Sequence, residues 1–227
     1  MRVWSVVSQK GGSGKTTLLL CLAILAMELG LVVTIIDLDP QRSAEQWSEL
    51  REKLLGEDAP TVVHGLPTGL DGMLEAARTN GVDLVLIDSP PAIDDRMVYA
   101  AFPATLVIVP TRIDVLDQLA LRQTLDYLYR LSVLGKSMVV VNAPSKDKKG
   151  LAETVAIARD EFEVAVLDTV IENTIELAKA LKEGRGVTEL KSNSAAAKKA
   201  RATFRQVYDQ LTAFEGRIAK QKPRRTA

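Results

Sequence analysis

The 227-residue chain is 47% apolar but only 4% aromatic, so it can fill a core of Val, Ile, Leu and Ala, and global disorder is excluded. Its 29 basic and 29 acidic residues cancel, yet residues 179–227 hold 13 Lys/Arg against 4 Asp/Glu (net +9) and residues 1–178 hold the remaining 16 against 25 (net −9), an imbalance that points to a polyanionic partner for the terminal segment. The single cysteine, Cys21, excludes a disulfide framework and any four-cysteine metal site within one chain, and fits a reducing compartment.

In chain order, residues 2–8 (RVWSVVS) read as a β-branched strand. A glycine cluster follows, then a helix over 15–29 stopped by Gly30 as its C′ residue. The apolar run 18–27 is ten residues long, too short to span a bilayer, and the strand and glycines ahead of it do not fit a signal peptide, so a cytoplasmic location is expected. Residues 31–37 (LVVTIID) are apolar without alternation, the mark of a strand buried on both faces. Ser43 and Gln46 have capping-box spacing for a helix over 43–54. A weak strand at 61–64 and a short amphipathic helix at 70–78 come next. Two buried-type strands, 84–88 (LVLID) and 105–109 (TLVIV), precede a long helix over 115–134 with apolar residues at 115, 116, 119, 121, 125 and 128. A strand at 137–142 (SMVVVN), a helix over 150–160, a short strand at 164–167 and a helix over 173–181 capped by Asn173 follow. The last helix is expected over 195–213, with a frayed basic end over 220–227.

Strands alternating with helices demand parallel pairing with crossovers, so the fold class is a doubly wound, mostly parallel α/β sheet of P-loop type. No composition shift or internal repeat marks a second unit. One domain over 1–216 and a flexible basic tail over 217–227 are expected. Ligands of such sheets bind at the carboxyl ends of strands, where motifs should be sought.

The strongest motif is Lys10-Gly11-Gly12-Ser13-Gly14-Lys15-Thr16-Thr17, after a strand and opening a helix. Small residues let backbone N–H groups converge on phosphate oxygens at a helix N-terminus. In such a loop Lys15 faces the β- and γ-phosphates, Thr16 places its hydroxyl on Mg²⁺ and Thr17 reaches the α-phosphate. The usual first glycine is replaced by Gln9, and an extra lysine stands at Lys10. That frame, K-G-G-x-G-K-T, resembles the deviant Walker A motif of the ParA/Min-system ATPases.

The resemblance spans nearly the whole chain, including Val109-Pro110 and the 183–187 segment (EGRGV), and implies several roles. Lys10 would reach across an ATP-dependent homodimer to the partner's phosphates. Asp37-Leu38-Asp39-Pro40-Gln41 looks like the family's D-x-D-P-Q switch, with Asp39 on the attacking water and Asp37 in the magnesium shell. Residues 84–88 match a Walker B strand whose Asp88 holds Mg²⁺ through water, and the Ser89-Pro90-Pro91 that follows resembles the second switch. Asn142 falls where relatives contact adenine. ATP and Mg²⁺ are the implied cofactors. Lys10, Lys15 and Asp39 are the implied catalytic residues.

One cysteine argues against the branches that bind iron–sulfur clusters between subunits. Residues 217–227 hold one isoleucine and a proline, too little for the membrane helix of Min-type members. A phosphate loop beginning at residue 10 leaves no room for the helix-turn-helix domain of large plasmid partition ATPases. What remains resembles the small ParA type, with non-specific double-stranded DNA, a small ParB-type activator and nucleoid association as the implied partners and location. The basic end supplies candidate phosphate contacts at Arg185, Lys198, Lys199, Arg201 and Arg205, with Lys182 and Lys191 nearby. Competing readings are a positioning factor for a membrane or secretion complex and a P-loop small-molecule kinase or synthetase. His64 reads as a loop residue, and Trp4 and Trp47 as packing residues, Trp47 near the first switch.

Overall fold

The computed structural model describes residues 1–56, 59–142, 147–172 and 175–221. Its centre is a sheet of seven strands: β1 (Arg2–Val6), β2 (Val33–Asp37), β3 (Thr61–His64), β4 (Leu84–Asp88), β5 (Leu106–Thr111), β6 (Ser137–Val141) and β7 (Ala165–Val166). The strands lie in the order β3-β2-β4-β1-β5-β6-β7, all parallel. The register sets Asp37 of β2 directly opposite Asp88 of β4, and Asp88 opposite Val6 at the end of β1. The carboxyl ends of three neighbouring strands thus gather the phosphate loop and two carboxylates from segments remote in sequence.

Among the described residues six α-helices make the crossovers, α1 (Lys15–Glu28), α2 (Ser43–Leu55), α3 (Leu70–Thr79), α4 (Asp95–Ala101), α5 (Val115–Arg130) and α6 (Lys148–Ala156), and two more, α7 (Ile175–Lys182) and α8 (Ala195–Gln221), follow β7. The central strands β1, β2, β4 and β5 have almost no exposed residue, which accounts for their unbroken apolar runs. One face packs against α1, α2, α7 and α8, the other against α3, α4, α5 and α6. Every residue of α1 from Leu18 to Ala26 is buried. Gly30 ends α1 with φ +82°, and the Gly30 and Leu31 N–H groups donate back to Met27 and Ala26 carbonyls, as a C′ glycine should.

Several boundaries differ from the expectation. The Ser43/Gln46 capping box does not form. Ser43 is already helical, Arg42 takes the preceding position in the left-handed region (φ 53°), and the Gln46 amide donates to the Gln41 carbonyl. The cap of α2 comes from the switch instead: Asp37 Oδ2 accepts the Ala44 N–H at 3.1 Å. α5 stops at Arg130, and its apolar residues split by face, since Leu121, Leu125 and Leu128 are buried whereas Val115, Leu116 and Leu119 are exposed. Helix α4 was not legible, being only seven residues and capped by Asp94, which accepts the Arg96 N–H. α8 runs to Gln221, so residues 217–221, expected to begin a loose tail, are helical. The expected cap Asn173 and the end of the tail, 222–227, lie outside the described residues.

One polar network fastens the last helix, and a second fastens the segment that precedes it. Thr105 Oγ1 donates to Glu215, and the Arg2 guanidinium donates to the Tyr208 hydroxyl at 3.0 Å while lying over the Trp4 ring. On the other side, Arg51 of α2 is buried and holds Glu189 with two hydrogen bonds of 2.7 and 2.8 Å and the Gly184 carbonyl with a third. The Trp47 indole N–H donates to the Leu181 carbonyl at 3.0 Å. Gly184, at φ +68°, sits so close that a Cβ there would lie 2.9 Å from Arg51 Cα. Helix α2 therefore connects the switch at its N-terminus to the segment that opens the basic end of the chain.

Candidate nucleotide site

The loop between β1 and α1 is built on glycines that other residues cannot replace. Gly12 has φ +74° and Gly14 φ +92°, and a Cβ at Gly14 would lie 2.8 Å from Asn142 Nδ2. Gly14 caps α1 with no side-chain bond, so the first N–H groups of α1 remain directed at the loop, the arrangement that receives an anion. Asn142 donates to the Ser13 carbonyl at 2.7 Å and holds the loop from the end of β6. Beside it opens a cavity of about 250 Å³ lined by Gly12, Gly14, Thr17 and Asn142 on one side and by Ile171 and Phe204 on the other. The polar loop against an apolar wall suits phosphates joined to a flat base. Arg112, exposed at the end of β5, also lines it.

Lys15 is buried, and its ammonium donates to the Lys10 carbonyl at 3.4 Å. Burial pushes its pKa down, with Asp88 and Asp39 opposing. Thr16 Oγ1 donates to Asp88 Oδ2 at 2.6 Å, while Asp88 Oδ1 is buried without a hydrogen-bond partner. Desolvation raises the Asp88 pKa to about 7; the Thr16 bond and Lys15 lower it, and Asp37 and Asp39 add to the rise. A hydroxyl and a bare carboxylate oxygen beside a phosphate loop are hard oxygen donors, and they fit Mg²⁺ completed by phosphate and water oxygens. Among the described residues no group of three or more His, Cys, Asp or Glu side chains could hold a metal alone.

Asp37 is fully buried, and both its oxygens are occupied: Oδ1 accepts the Asp39 N–H at 3.0 Å and Oδ2 the Ala44 N–H. Burial raises its pKa, and these backbone bonds oppose the rise. Its present task is to shape the switch. Asp39 is half-buried just past the strand end, its Oδ1 accepts the Gln41 N–H at 3.0 Å, and its charge is felt by Lys15 and Asp88. Ser89, after Asp88, is buried and donates to the Val6 carbonyl, which fixes the start of the second switch to β1. Lys10 is not loose: its ammonium pairs with Asp117 of α5 at 2.7 Å. No spacing in the sequence pointed to Asp117.

The basic residues divide. Lys198 is exposed and Arg185 half-buried. Lys199 pairs with Glu172 at 2.7 Å and Arg205 with Glu28 at 3.7 Å. Arg201 turns inward and donates to the Leu190 and Ser192 carbonyls at 2.6 and 2.8 Å. His64, at the end of the edge strand β3, stands opposite Asp37 in the register, and Trp4 and Cys21 are buried in the core.

A parallel, doubly wound sheet with a glycine loop on a helix N-terminus, a lysine, a threonine and a Walker-type aspartate defines a P-loop nucleotide-binding protein. The model of the CobQ/CobB/MinD/ParA nucleotide-binding domain matches residues 4–187, and the chain belongs to that family. It is 31% identical over 222 residues to the chromosome-partitioning ATPase Soj of Thermus thermophilus, covering 82% of this chain and 86% of that one. It is 29% identical over 213 residues to the maintenance of carboxysome distribution protein A of Gloeobacter kilaueensis, covering 92% and 94%. Among solved structures, septum site-determining MinD from Pyrococcus horikoshii, complexed with Mg-ADP, superposes with a TM-score of 0.69 at 20% identity over 96% and 99% of the two chains. The protein is a P-loop ATPase of this family. Among the described residues no helix is long and apolar enough to cross a membrane.

Proposed function

We propose that the chain is a switch ATPase that dimerises with ATP, binds double-stranded DNA without sequence preference, and partitions DNA or positions a cargo. The observation that carries this reading is Lys10, an extra lysine in the phosphate loop, whose ammonium pairs with Asp117 of α5 and not with a residue of the loop. The Lys15 ammonium and the N–H groups of α1 bind and orient the phosphates. Asp39, half-buried beside the phosphate loop's Lys15, orients the attacking water. Thr16 and Asp88 would hold Mg²⁺, which when bound neutralises charge on the phosphates. The partition relatives favour DNA as the track, and the carboxysome-distribution relative favours a protein cargo. A ParB-type activator would reset the switch.

The DNA surface on this reading is Lys198 with Arg185, joined by Lys199 and Arg205 when they leave their acidic partners. Arg201 shapes the turn they stand on. Retention of the protein on two unrelated duplexes over a salt series, with ATP, ADP and no nucleotide, tests it. Binding should need ATP, and Lys198→Glu with Arg185→Glu should make the slope of log affinity against log salt shallower by about 0.9 for each DNA phosphate no longer neutralised. Retention that ignores nucleotide, or a strong preference for one duplex, would overturn the DNA reading.

A further inference from the structure

We propose that Asp117 is a restraint within the subunit that holds Lys10 back until a second copy docks. This rests on the dimer reading above and names how that reading is regulated. The Lys10 ammonium lies 2.7 Å from Asp117 Oδ2; the lysine side chain is 36% exposed and the aspartate 3%. A lysine committed to this pair cannot at the same time serve a phosphate in another subunit, because its reach is set by a loop anchored at both ends. Val7 N–H bonds the Ile108 carbonyl before the loop, and Lys15 begins α1 after it.

The pair is built to be opened. Asp117 lies in the first turn of α5, two residues after its first residue Val115. Its charge therefore keeps the favourable field of a helix N-terminus when the lysine leaves, which lowers the cost of an unpaired carboxylate. Asp114, the residue before the helix, and Glu153, which accepts from the neighbouring Gln118, are acids at this end of the helix and oppose that relief. The lysine is held a second time, since its own carbonyl takes the Lys15 ammonium at 3.4 Å. Phosphate oxygens compete for that ammonium and so slacken one of the two holds. Around Asp117 the same turn exposes Val115, Leu116 and Leu119, 50–71% open to solvent, against which a docking copy would dry the site and strengthen the lysine's attraction to phosphate. Nucleotide loosens the loop and the second copy completes the exchange.

The test compares the wild-type chain with Asp117→Asn, and with Asp117→Ser as a second variant that removes the charge yet suits a helix start. Light scattering over a protein dilution series, with Mg-ATP, ADP and no nucleotide, gives the dimer constant. Labelling of the Lys10 amine by a soluble acylating reagent, read by peptide mass spectrometry without nucleotide, gives its freedom. The restraint predicts several-fold faster Lys10 labelling in both variants. It also predicts dimers in ATP at about 25-fold lower protein concentration, about fivefold for each of the two lysines released. Unchanged labelling, or dimers that form no more readily than in the wild type, would overturn it. Weaker dimers would make Asp117 a support for the competent loop instead. A wild-type chain that never dimerises in ATP would sink the dimer reading itself, a result distinct from the other two.

Discussion

Replacing Arg51 by Met is the sharpest test of how the two ends of α2 are held. Methionine keeps the length and packing of the stem and removes only the guanidinium. The hydrogen bonds to Gly184 O and to both Glu189 carboxylate oxygens are among those that disappear. Glu189 still accepts the Gly186 N–H at 2.8 Å, but its charge is left without a cation in a pocket where its side chain is only 16% exposed. Removing one partner of a buried pair costs about 3–5 kcal/mol. Glu189 keeps one donor and some water, so about 2–3 kcal/mol is expected, or roughly 5–10 °C in melting temperature for a chain of this size. Arg51→Met with Glu189→Gln removes both charges, and the double variant should regain about half of the loss, because no stranded carboxylate remains. Urea unfolding of the wild type and the three variants gives the coupling energy. A single variant within about 0.5 kcal/mol of wild type, or a double variant as unstable as the sum of its parts, would refute the argument.

Asp88→Asn should stabilise the nucleotide-free chain at pH 8. The folded Asp88 pKa is about 7, above its unfolded value of 3.8. Its contribution is therefore fully present below pH 3.8 and lost as pH rises through about 7, at about 1.4 kcal/mol per pKa unit. The amide removes that penalty, so the gain in melting temperature should shrink from pH 8 to pH 5; an equal gain at both would contradict the cause assigned. Gly14→Ala forces φ +92° on an alanine and drives its Cβ into Asn142. It should weaken binding of a fluorescent ATP analogue at least tenfold, about 1.4 kcal/mol, with little change in circular dichroism. Asp39→Ala should bind that analogue normally and lose ATP hydrolysis, measured as phosphate release.

The sheet was readable because burial on both faces leaves strands almost wholly apolar up to their carboxyl ends, so 31–37 and 84–88 stood out without any alternation. The phosphate loop was readable because the glycines do a backbone task that other residues cannot. Helix α4 was hidden by its brevity, and the start of α2 by a cap supplied from the strand before it. Asp117 and Phe204 reach the site from 107 and 194 positions beyond Lys10, and nothing local marks either. The inward turn of Arg201 was equally invisible, since a basic helix face reads the same whether an arginine meets solvent or its own carbonyls.

From Leu18 to Ala26, helix α1 has no side that water can wet once the chain is folded. Its outer surface is dried by Ala197, Ala200, Phe204, Val207 and Leu211 of α8, nearly two hundred residues downstream. During synthesis the phosphate-loop helix thus leaves the ribosome early as an apolar cylinder with only one of its flanks suppliable by the sheet. It must wait, for almost the entire translation of the chain, for the segment that shields the other. A ribosome stalled before residue 195 would display that stripe to the surrounding solution, and nascent-chain chaperones would find their binding surface there.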